Sequence, residues 1–330
     1  MKLGTLRHPE KRDGELVVVS KDNSKGVKVP EIAGSLREAF DSWSSSKPRL
    51  METYSKLEAG EAAGAFDINP CEMHSPMPRT FQWADGSAFI HHIRLVRMAR
   101  NAPMPEGLET VPLMYQGGSD TFLAPLDNIP QVDFAHGTDF EGEVGVIVSD
   151  VPMGVTPEKA LDHIELLVII NDVSLRGLIP DELKAGFGFF QGKPSSAFAP
   201  FAVTPDELGD SWKDGRIHLP LKVELNGEFF GKANAKEMHF HFGELIAHAA
   251  RTRHLAAGTI IGSGTVSNEN REMGSSCLAE KRMLEKIDEG TIKTPFMKVG
   301  DKVKIEMLGG NGENLFGTIE QEVVKYESPN

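Results

Sequence analysis

A short acidic segment carries the densest group of potentially reactive side chains in this chain of 330 residues. It extends from Asp139 to Glu143 and leads directly into an apolar run at 144–148. Side chains two residues apart in a strand share a face, so Glu141 and Glu143 should point the same way, about 6.5–7 Å apart. Two such carboxylates repel each other unless a cation lies between them. A solvated edge strand and a divalent-cation site with oxygen ligands are both open interpretations.

Two aspartates elsewhere in the chain are further candidates. Asp172 follows the apolar run 166–170, which places a carboxylate at the end of a buried strand, where carboxylates rarely occur without a partner. It either caps the following turn through its side chain or contributes to a site. Asp85 precedes Gly86, and taken alone this pair is typical of a simple turn. Only the combination of these carboxylates points to one cation site.

Histidines and one lysine are the basic candidates. The chain has 11 histidines, and each one alone is more typical of a structural group than of a catalytic base. His91 and His92 begin a predicted helix whose apolar positions include Phe89 and Ile93. Lys193 lies between apolar segments, so it is either a surface lysine or a buried cation that could stabilise an oxyanion.

Composition and missing motifs exclude several classes of function. The chain has 35 Lys and Arg against 48 Asp and Glu, a formal net charge of −13, so its field repels nucleic acid and anionic membranes. No dinucleotide-binding, P-loop, zinc-helix or nucleophile-elbow motif occurs. Cys71 and Cys277 form no metal-binding pair, and neither a signal peptide nor a membrane-length apolar run is found. We therefore expect a cytoplasmic protein without nucleic-acid or membrane partners.

The elements that must position these side chains are mainly strands. Hydrophobic periodicity predicts strands at 16–20, 27–30, 143–148 and 166–170, hairpins at 223–230 and 302–321, and helices at 36–43, 157–164 and 240–254. The segment 44–48 is predicted to be a loop, and three prolines within 70–78 mark a domain boundary. We expect an α+β, strand-rich protein with a small N-terminal domain, 1–75, and a main domain, 76–330.

The order of these motifs along the chain resembles that of the fumarylacetoacetate hydrolase family over about residues 75–325. The residues that carry the resemblance are, in chain order, Asp85 and His92, Glu141 and Glu143, the segment Asn171-Asp172-x-Ser174-x-Arg176, Gly192-Lys193, the segment 262–267 (Gly-Ser-Gly-Thr-Val-Ser), and Glu280. Their shared order and spacing make the resemblance specific. It implies a mixed β-roll or sandwich fold for the main domain and an accessory β-containing domain at 1–75.

The resemblance also implies a metal-dependent chemistry. It assigns the metal, Mg²⁺ or Ca²⁺ with Mn²⁺ as a further candidate, to Asp85, Glu141, Glu143 and Asp172. It assigns the general base to His92, the carboxylate that orients this base to Glu280, a catalytic position beside the metal to Lys193, and substrate contacts to Thr265, Tyr115 and Arg176. The implied reaction is hydrolysis of a carbon–carbon bond in a small anionic 1,3-diketo acid, of the fumarylacetoacetate or acylpyruvate type, as in aromatic amino acid catabolism. The implied assembly is a homodimer.

The sequence departs from the family pattern around the substrate. Where the family's hydrolases place a substrate-binding arginine and a tyrosine, this chain has Gly118 and Ser87. Pro194 follows Lys193, and this leaves open whether Ser196 contacts the metal side.

These departures keep other activities under consideration. Decarboxylation, isomerisation or dehydration of a 2-keto acid on the same metal centre is one alternative, and non-catalytic binding of a metal or ligand is another. Lyases of this kind can dispense with a water-activating pair, so the presence of both His92 and Glu280 favours hydrolysis.

Overall fold

The computed structural model describes residues 1–99, 104 and 106–328. The α-helices are α1 (Leu36–Asp41), α2 (Trp43–Glu58), α3 (Ile90–Ala99), α4 (Pro157–Ala160), α5 (Ile179–Ala185), α6 (Phe242–Ala249) and α7 (Leu278–Glu289). Short 3₁₀ helices lie at Pro70–Glu72, Phe134–His136, Leu161–His163, Pro205–Ser211, Ala235–Glu237 and Arg271–Met273. The strands are β1 (Lys2–Leu6), β2 (Glu15–Val19), β3 (Lys25–Lys28), β4 (Phe66–Asp67), β5 (Met73–His74), β6 (Trp83–Gly86), β7 (Met114–Gly117), β8 (Ile129–Gln131), β9 (Thr138–Asp139), β10 (Gly142–Val148), β11 (Ile164–Asn171), β12 (Ser174–Leu175), β13 (Ala197–Phe198), β14 (Phe201–Val203), β15 (Trp212–Lys213), β16 (Arg216–Ile217), β17 (Pro220–Leu225), β18 (Glu228–Asn234), β19 (Ile260–Gly262), β20 (Lys302–Leu308) and β21 (Asn314–Lys325).

Most of these strands belong to one large, mainly antiparallel sheet. Its order is β4-β3-β2-β1-β14-β11-β10-β19-β6-β7, with β5 beside β1 and β13 beside β11. Strand β11 is buried on both faces. Its alternate side chains point to opposite sides of the sheet, and each set is covered by a different hydrophobic cluster. Leu167 and Ile169 enter one hydrophobic cluster, and Leu166 and Val168 enter another. Strands β19 and β6 pair in parallel, and this pair leads to the candidate site.

A second sheet covers one face of the large sheet. Its order is β18-β17-β20-β21-β8. Leu221, Val223, Ile305 and Ile319 from this sheet join the cluster that contains Leu167, so the main core lies between the two sheets. The strand pairs β9–β12 and β15–β16 form two further small sheets.

The N-terminal segment is built into the large sheet. Strand β1 pairs with β2 on one side and with β14 on the other, and Leu3 lies opposite Val18 and Ala202. Helices α1 and α2 cover the face that carries Leu166 and Ile170. The division of the chain at 75/76 stays a prediction, since the two parts share one sheet.

The predicted loop at 44–48 is wrong, because α2 runs through it from Trp43 to Glu58. Trp43, Leu50 and Leu57 are buried at helical spacing, and the Trp43 ring stacks on Phe40 with 4.3 Å between ring centroids. Burial of this apolar stripe outweighs the low helix propensity of the serines and of Pro48.

Most other predicted elements are confirmed, and so is the strand-rich α+β class. The hairpin β17–β18 turns at Asn226-Gly227, whose φ angles of 55° and 80° are those that a two-residue turn of this type requires. The helix predicted at 240–254 is shorter, because it ends at Ala249, and the Ala250 carbonyl accepts the N–H of Gly154. Within residues 1–99, 104 and 106–328, no helix is long and apolar enough to cross a membrane.

Candidate active site and metal centre

Three carboxylates meet at one end of the large sheet. Asp85 lies in β6, Glu143 in β10, and Asp172 directly after β11. Strand β19 runs between β6 and β10, and its Gly262 stands opposite both Asp85 and Gly145. One oxygen from each of the three carboxylates lies within 4.8 Å of the other two, and all three residues are buried. Strand pairing thus gathers side chains that are far apart in the sequence.

Gly262 keeps the space beside Asp85 open. A Cβ at this position would lie 2.4 Å from Asp85 Oδ1 and 2.4 Å from the Trp83 ring, which accounts for the glycine. The backbone N–H of Gly264 donates to the same Asp85 oxygen at 2.9 Å. The interpretation of Asp85 as part of a simple turn is therefore wrong, because this residue is buried within a strand.

Glu143 provides the test of whether the site suits a cation. Both of its carboxylate oxygens are buried, and neither has a hydrogen-bond partner among the residues that the structure describes. Burial and the charges of Asp85 and Asp172 raise the pKa of Glu143 well above its usual value, and burial with Asp172 does the same to the pKa of Asp85. A buried carboxylate of this kind is unfavourable unless a cation compensates its charge. The all-oxygen donor set suits hard divalent ions such as Mg²⁺, Ca²⁺ and Mn²⁺.

Glu141 has a different environment from Glu143. Its Oε2 accepts a hydrogen bond from Lys193 Nζ at 2.5 Å, and its Oε1 accepts one from Arg176 Nη2 at 2.5 Å. Burial alone would raise the pKa of Glu141, but Arg176 and Lys193 lower it. Both glutamates are buried, so the solvated edge strand is wrong for this segment. The two glutamates differ in that Glu141 is already neutralised by protein cations.

Asp172 is held by three side chains. Its Oδ2 accepts from Lys193 Nζ at 2.5 Å and from the Tyr115 hydroxyl at 2.6 Å, and its Oδ1 accepts from Ser196 Oγ at 2.8 Å. The Asp172 carboxylate therefore points into this cluster rather than capping the following turn. Lys193 is buried, which excludes the surface alternative. Burial opposes its charge, but Asp172 and Glu141 raise the pKa of Lys193 above its usual value.

His92 and Glu280 form a pair beside the carboxylates. His92 lies in α3, Glu280 lies in the first turn of α7, and His92 Nδ1 is 2.9 Å from Glu280 Oε2. Glu280 is only 1% exposed, whereas the His92 side chain retains 18% exposure. When Glu280 accepts the hydrogen on Nδ1, the His92 Nε2 keeps a free lone pair. This arrangement suits a general base that faces a cavity.

The role of Asp139 could not be predicted from the sequence. Its two oxygens accept the backbone N–H groups of Leu278 and Ala279 at 2.8 and 3.0 Å, and Oδ2 also accepts from Arg176 Nε at 2.9 Å. Asp139 thereby fixes the first turn of α7, the helix that carries Glu280. The available signal was its place two residues before the acidic pair, but the helix it caps lies 139 residues further along the chain.

Cys277 lies close to His92 and Glu141, with one potential ligand atom from each within 4.8 Å of the others. Burial and Asp139 raise the pKa of the Cys277 thiol well above its usual value. The thiol is therefore disfavoured as a metal-binding thiolate. Its sulfur instead accepts the backbone N–H of Glu280 at 3.3 Å.

The site opens onto a cavity of about 160 Å³. Its polar lining consists of Asp85, Ser87, His92, Tyr115, Glu141, Glu143, Arg176, Lys193, Gly264 and Thr265. Its apolar lining consists of Phe89, Ile93, Ile179 and Phe189. The structure thus brings together all the predicted site residues, since Asp172 and Glu280 bond directly to residues of the lining. Sequence reasoning missed the apolar lining because Phe89 and Ile93 have the helical spacing of core residues, and Phe189 lies in a loop without a regular pattern.

The comparisons with known proteins agree with this geometry. The family model for the fumarylacetoacetate (FAA) hydrolase C-terminal region matches residues 82–324, and the model for fumarylacetoacetase N-terminal domain 2 matches residues 1–79. The chain therefore belongs to the fumarylacetoacetate hydrolase family. It is a metal-dependent enzyme of this family, which uses a divalent ion and includes both hydrolases and isomerases.

Individual relatives differ in their reactions. An oxaloacetate tautomerase of Bacillus subtilis (strain 168) is 23% identical over 299 residues, which cover 89% of each chain. A 2,4-didehydro-3-deoxy-L-rhamnonate hydrolase of Sphingomonas sp. (strain SKA58) is 29% identical over 168 residues, 50% of this chain and 55% of the relative. A maleylpyruvate hydrolase of Sphingobium sp. SYK-6, solved in complex with manganese(II) and pyruvate, has a TM-score of 0.63 at 17% identity, with 99% of this chain and 100% of that chain covered. This structural similarity shows a shared fold.

Proposed function

We propose that the protein hydrolyses a carbon–carbon bond in a 1,3-diketo acid of the acylpyruvate or fumarylacetoacetate type. The observation that carries the proposal is the His92–Glu280 pair, with 2.9 Å between Nδ1 and Oε2, on the same cavity as the buried carboxylate cluster. A base held in one orientation by a buried carboxylate is what the activation of water requires.

The residues of the chain have separate roles in this reaction. His92 Nε2 takes a proton from water, and the oxygen of that water adds to the acyl carbonyl carbon of the substrate. Glu280 holds the hydrogen on Nδ1 and compensates the positive charge that His92 gains. The bond between the acyl carbon and the adjacent carbon then breaks, which releases a carboxylic acid and the enolate of pyruvate. A proton returned to that enolate completes the balance.

The charged residues bind and orient the diketo acid. A hard divalent ion held by Asp85, Glu143 and Asp172, with Glu141 as the fourth ligand that the family resemblance implies, would supply Lewis-acid polarisation of the substrate oxygens. Lys193 lies beside Asp172 and Glu141 and can donate a hydrogen bond to a developing enolate oxygen. Thr265 lines the same cavity and offers a hydroxyl to the substrate carboxylate. In the proposed function Arg176 acts mainly through Glu141 and Asp139, to which its guanidinium is bonded.

Keto–enol tautomerisation of a 2-keto acid is the second candidate. It is favoured by the similarity to the oxaloacetate tautomerase, which extends over 89% of both chains. The same His92 could move a proton between carbon and oxygen without cleaving a bond. The two reactions therefore differ in whether water enters the product.

Oxygen labelling separates the two candidates. The Mn²⁺-loaded protein is incubated in H₂¹⁸O with acetylpyruvate and, separately, with oxaloacetate, and the products are identified by mass spectrometry. Hydrolysis predicts acetate that carries one solvent oxygen, together with an equal amount of pyruvate. Keto–enol exchange of oxaloacetate with an intact carbon skeleton, and no cleavage of acetylpyruvate, would replace the leading proposal by the second candidate.

Variants at two histidines test the role of the base. His92→Ala should lower kcat about 10³-fold, because a positioned general base contributes about 10²–10⁴-fold. Its affinity for Mn²⁺, measured by isothermal titration calorimetry, should stay within about twofold of the wild-type value, since the clustered carboxylates that would bind the metal do not include this position. His248→Ala is the matched control, as His248 lies on α6 and outside the cavity lining. Loss of Mn²⁺ binding in His92→Ala would show that the roles are wrongly assigned.

A further inference from the structure

We propose that the substrate is an acylpyruvate with an apolar acyl group, an alkanoyl or aroyl chain, rather than a diketo acid that ends in a second carboxylate. This proposal rests on the hydrolysis proposed above and specifies its substrate class. Its basis is the division of the cavity lining into a charged part and an apolar part.

The charged part of the lining surrounds the carboxylate cluster, and the pyruvyl group would occupy the space beside it. The cavity as a whole has a volume of about 160 Å³. The acyl group would extend from the pyruvyl group along the apolar part of the lining.

The described cations of the lining are already paired with carboxylates. Arg176 donates to Asp139 and Glu141, and Lys193 donates to Glu141 and Asp172. His92, the proposed base, is hydrogen-bonded to Glu280 and is not counted among these cations. A second carboxylate on the substrate would thus find no uncommitted cation among the lining residues that the structure describes, in a protein with a formal net charge of −13. Burying that charge without a partner is costly.

Four apolar residues line the cavity, and further apolar residues near two of them in the sequence are exposed. Phe89 and Ile93 belong to the segment that carries His92, and Ile179 begins α5. Leu183 follows Ile179 by one helical turn and is 53% exposed. Phe187 and Phe190, on the loop after α5, are 101% and 87% exposed. An apolar lining beside a few polar groups is a feature of binding sites for ligands with an apolar part.

The loop 186–192, which we call the aromatic loop, is anchored at its end. The Glu182 carboxylate accepts the backbone N–H groups of Phe190, Gln191 and Gly192 at 3.0, 2.6 and 3.0 Å. Phe189 packs edge-on against the Tyr115 ring, with 5.3 Å between ring centroids. Phe189 is thereby held at the boundary between the charged and apolar parts, where the acyl chain would pass.

A matched pair of substrates tests the proposal with the Mn²⁺-loaded full chain. Pentanoylpyruvate and succinylpyruvate have acyl chains of similar length, but one ends in a methyl group and the other in a carboxylate. We expect kcat/KM for pentanoylpyruvate to exceed that for acetylpyruvate about 10-fold, since each buried methylene contributes about fourfold and the outer part of the chain is only partly buried. We expect succinylpyruvate to be cleaved more slowly than acetylpyruvate.

Two phenylalanine variants test whether Phe189 is responsible for the preference for an apolar acyl chain. Phe189→Ala should reduce the ratio of kcat/KM for pentanoylpyruvate over acetylpyruvate from about 10 to about 2, because it removes the apolar contact and leaves the pyruvyl end in place. Phe229→Ala, at an exposed position of β18 outside the cavity lining, should leave the ratio unchanged. An unchanged ratio in Phe189→Ala would contradict the assignment of this residue.

The possible results of these measurements distinguish an error in the proposed substrate class from an error in the proposed reaction. Faster cleavage of succinylpyruvate than of pentanoylpyruvate would overturn the inference while leaving hydrolysis intact. If none of the three acids is cleaved, the proposed hydrolysis fails, and the affinities of the same acids for the Mn²⁺-loaded protein, measured by calorimetry, decide the inference. Tighter binding of pentanoylpyruvate than of succinylpyruvate then supports an apolar acyl site, and equal or reversed affinities refute it.

Discussion

The substitution Glu143→Gln removes the charge of a carboxylate that is buried without a described hydrogen-bond partner, and it changes the shape of the side chain very little. We expect the variant to be more stable than the wild type when no metal is bound, and less able to gain stability from a divalent ion. Function and stability oppose each other at this residue. The clustered negative charges destabilise the metal-free protein, and the same charges attract a cation.

The magnitude follows from the spacing of the carboxylates. At 4.8 Å or less, two unit charges repel by at least about 3.5 kcal/mol at an effective dielectric constant of about 20. The buried amide of the glutamine offsets part of this gain, because an unpaired polar group costs about 1–3 kcal/mol. We therefore expect the free energy of unfolding of metal-free Glu143→Gln to exceed that of the wild type by about 2 kcal/mol at pH 8.

The gain should depend on pH with a defined sign. Burial and the charges of Asp85 and Asp172 raise the pKa of Glu143 above its ordinary value of 4.5 in the folded protein. Above pH 4.5 the unfolded chain has lost a proton that the folded protein retains, so the stability of the metal-free wild type falls as the pH rises through this range. The glutamine does not titrate. The difference between variant and wild type should thus be small at pH 4.5 and grow toward pH 8.

Urea denaturation at pH 4.5 and pH 8, with and without Mn²⁺, is the assay. At an Mn²⁺ concentration about 100 times its Kd, the wild type should gain about 2.7 kcal/mol and the variant much less, so the order of stabilities reverses. The control is Glu285→Gln, because both Glu285 oxygens are hydrogen-bonded to residues 293 and 294. That variant should be less stable at pH 8 and should respond to Mn²⁺ as the wild type does. A Glu143→Gln protein that is destabilised at both pH values without metal would refute the reasoning.

Three further substitutions have expected outcomes. Glu280→Gln should lower kcat about 10²-fold with Mn²⁺ affinity unchanged, measured by steady-state kinetics and calorimetry, because it weakens the orientation of the base. Asp139→Asn should lower the free energy of unfolding in urea by about 3 kcal/mol, because it breaks a buried ion pair at the start of α7. Gly231→Ala should cost about 3 kcal/mol in the same measurement, because its Cβ would lie 2.1 Å from the Ser275 carbonyl oxygen.

The carboxylates could be identified in the sequence because of their relation to apolar runs. Asp172 comes after a buried strand and Glu143 begins another, and such positions place charge at a sheet end, where it needs a partner. The difference between Glu141 and Glu143 could not be foreseen from the sequence pattern, which predicts that both side chains share one face. It depends on Lys193 and Arg176, which reach Glu141 through folding rather than through sequence proximity.

Local propensity misled the prediction where long-range packing decides the structure. The serines and the proline at 44–48 disfavour a helix, yet α2 includes them because Trp43 and Leu50 are buried against the large sheet. Similarly, Phe189 has a large apolar side chain of the kind that usually lies in a core. Only the structure, in which it packs against Tyr115, places it on the cavity lining. Periodicity describes which side chains are buried, but the partner that buries them is set by topology.

The position of β1 between β2 and β14 has a consequence for dividing the protein. Without residues 1–75, strand β14 would expose its backbone N–H and C=O groups as an open edge, and β11 would lose the helices that cover Leu166 and Ile170. An uncovered edge beside an apolar face is a template for intermolecular strand pairing. Residues 76–330 should therefore aggregate when they are expressed alone, because the N-terminal segment covers both an edge and a face of the sheet that carries the site.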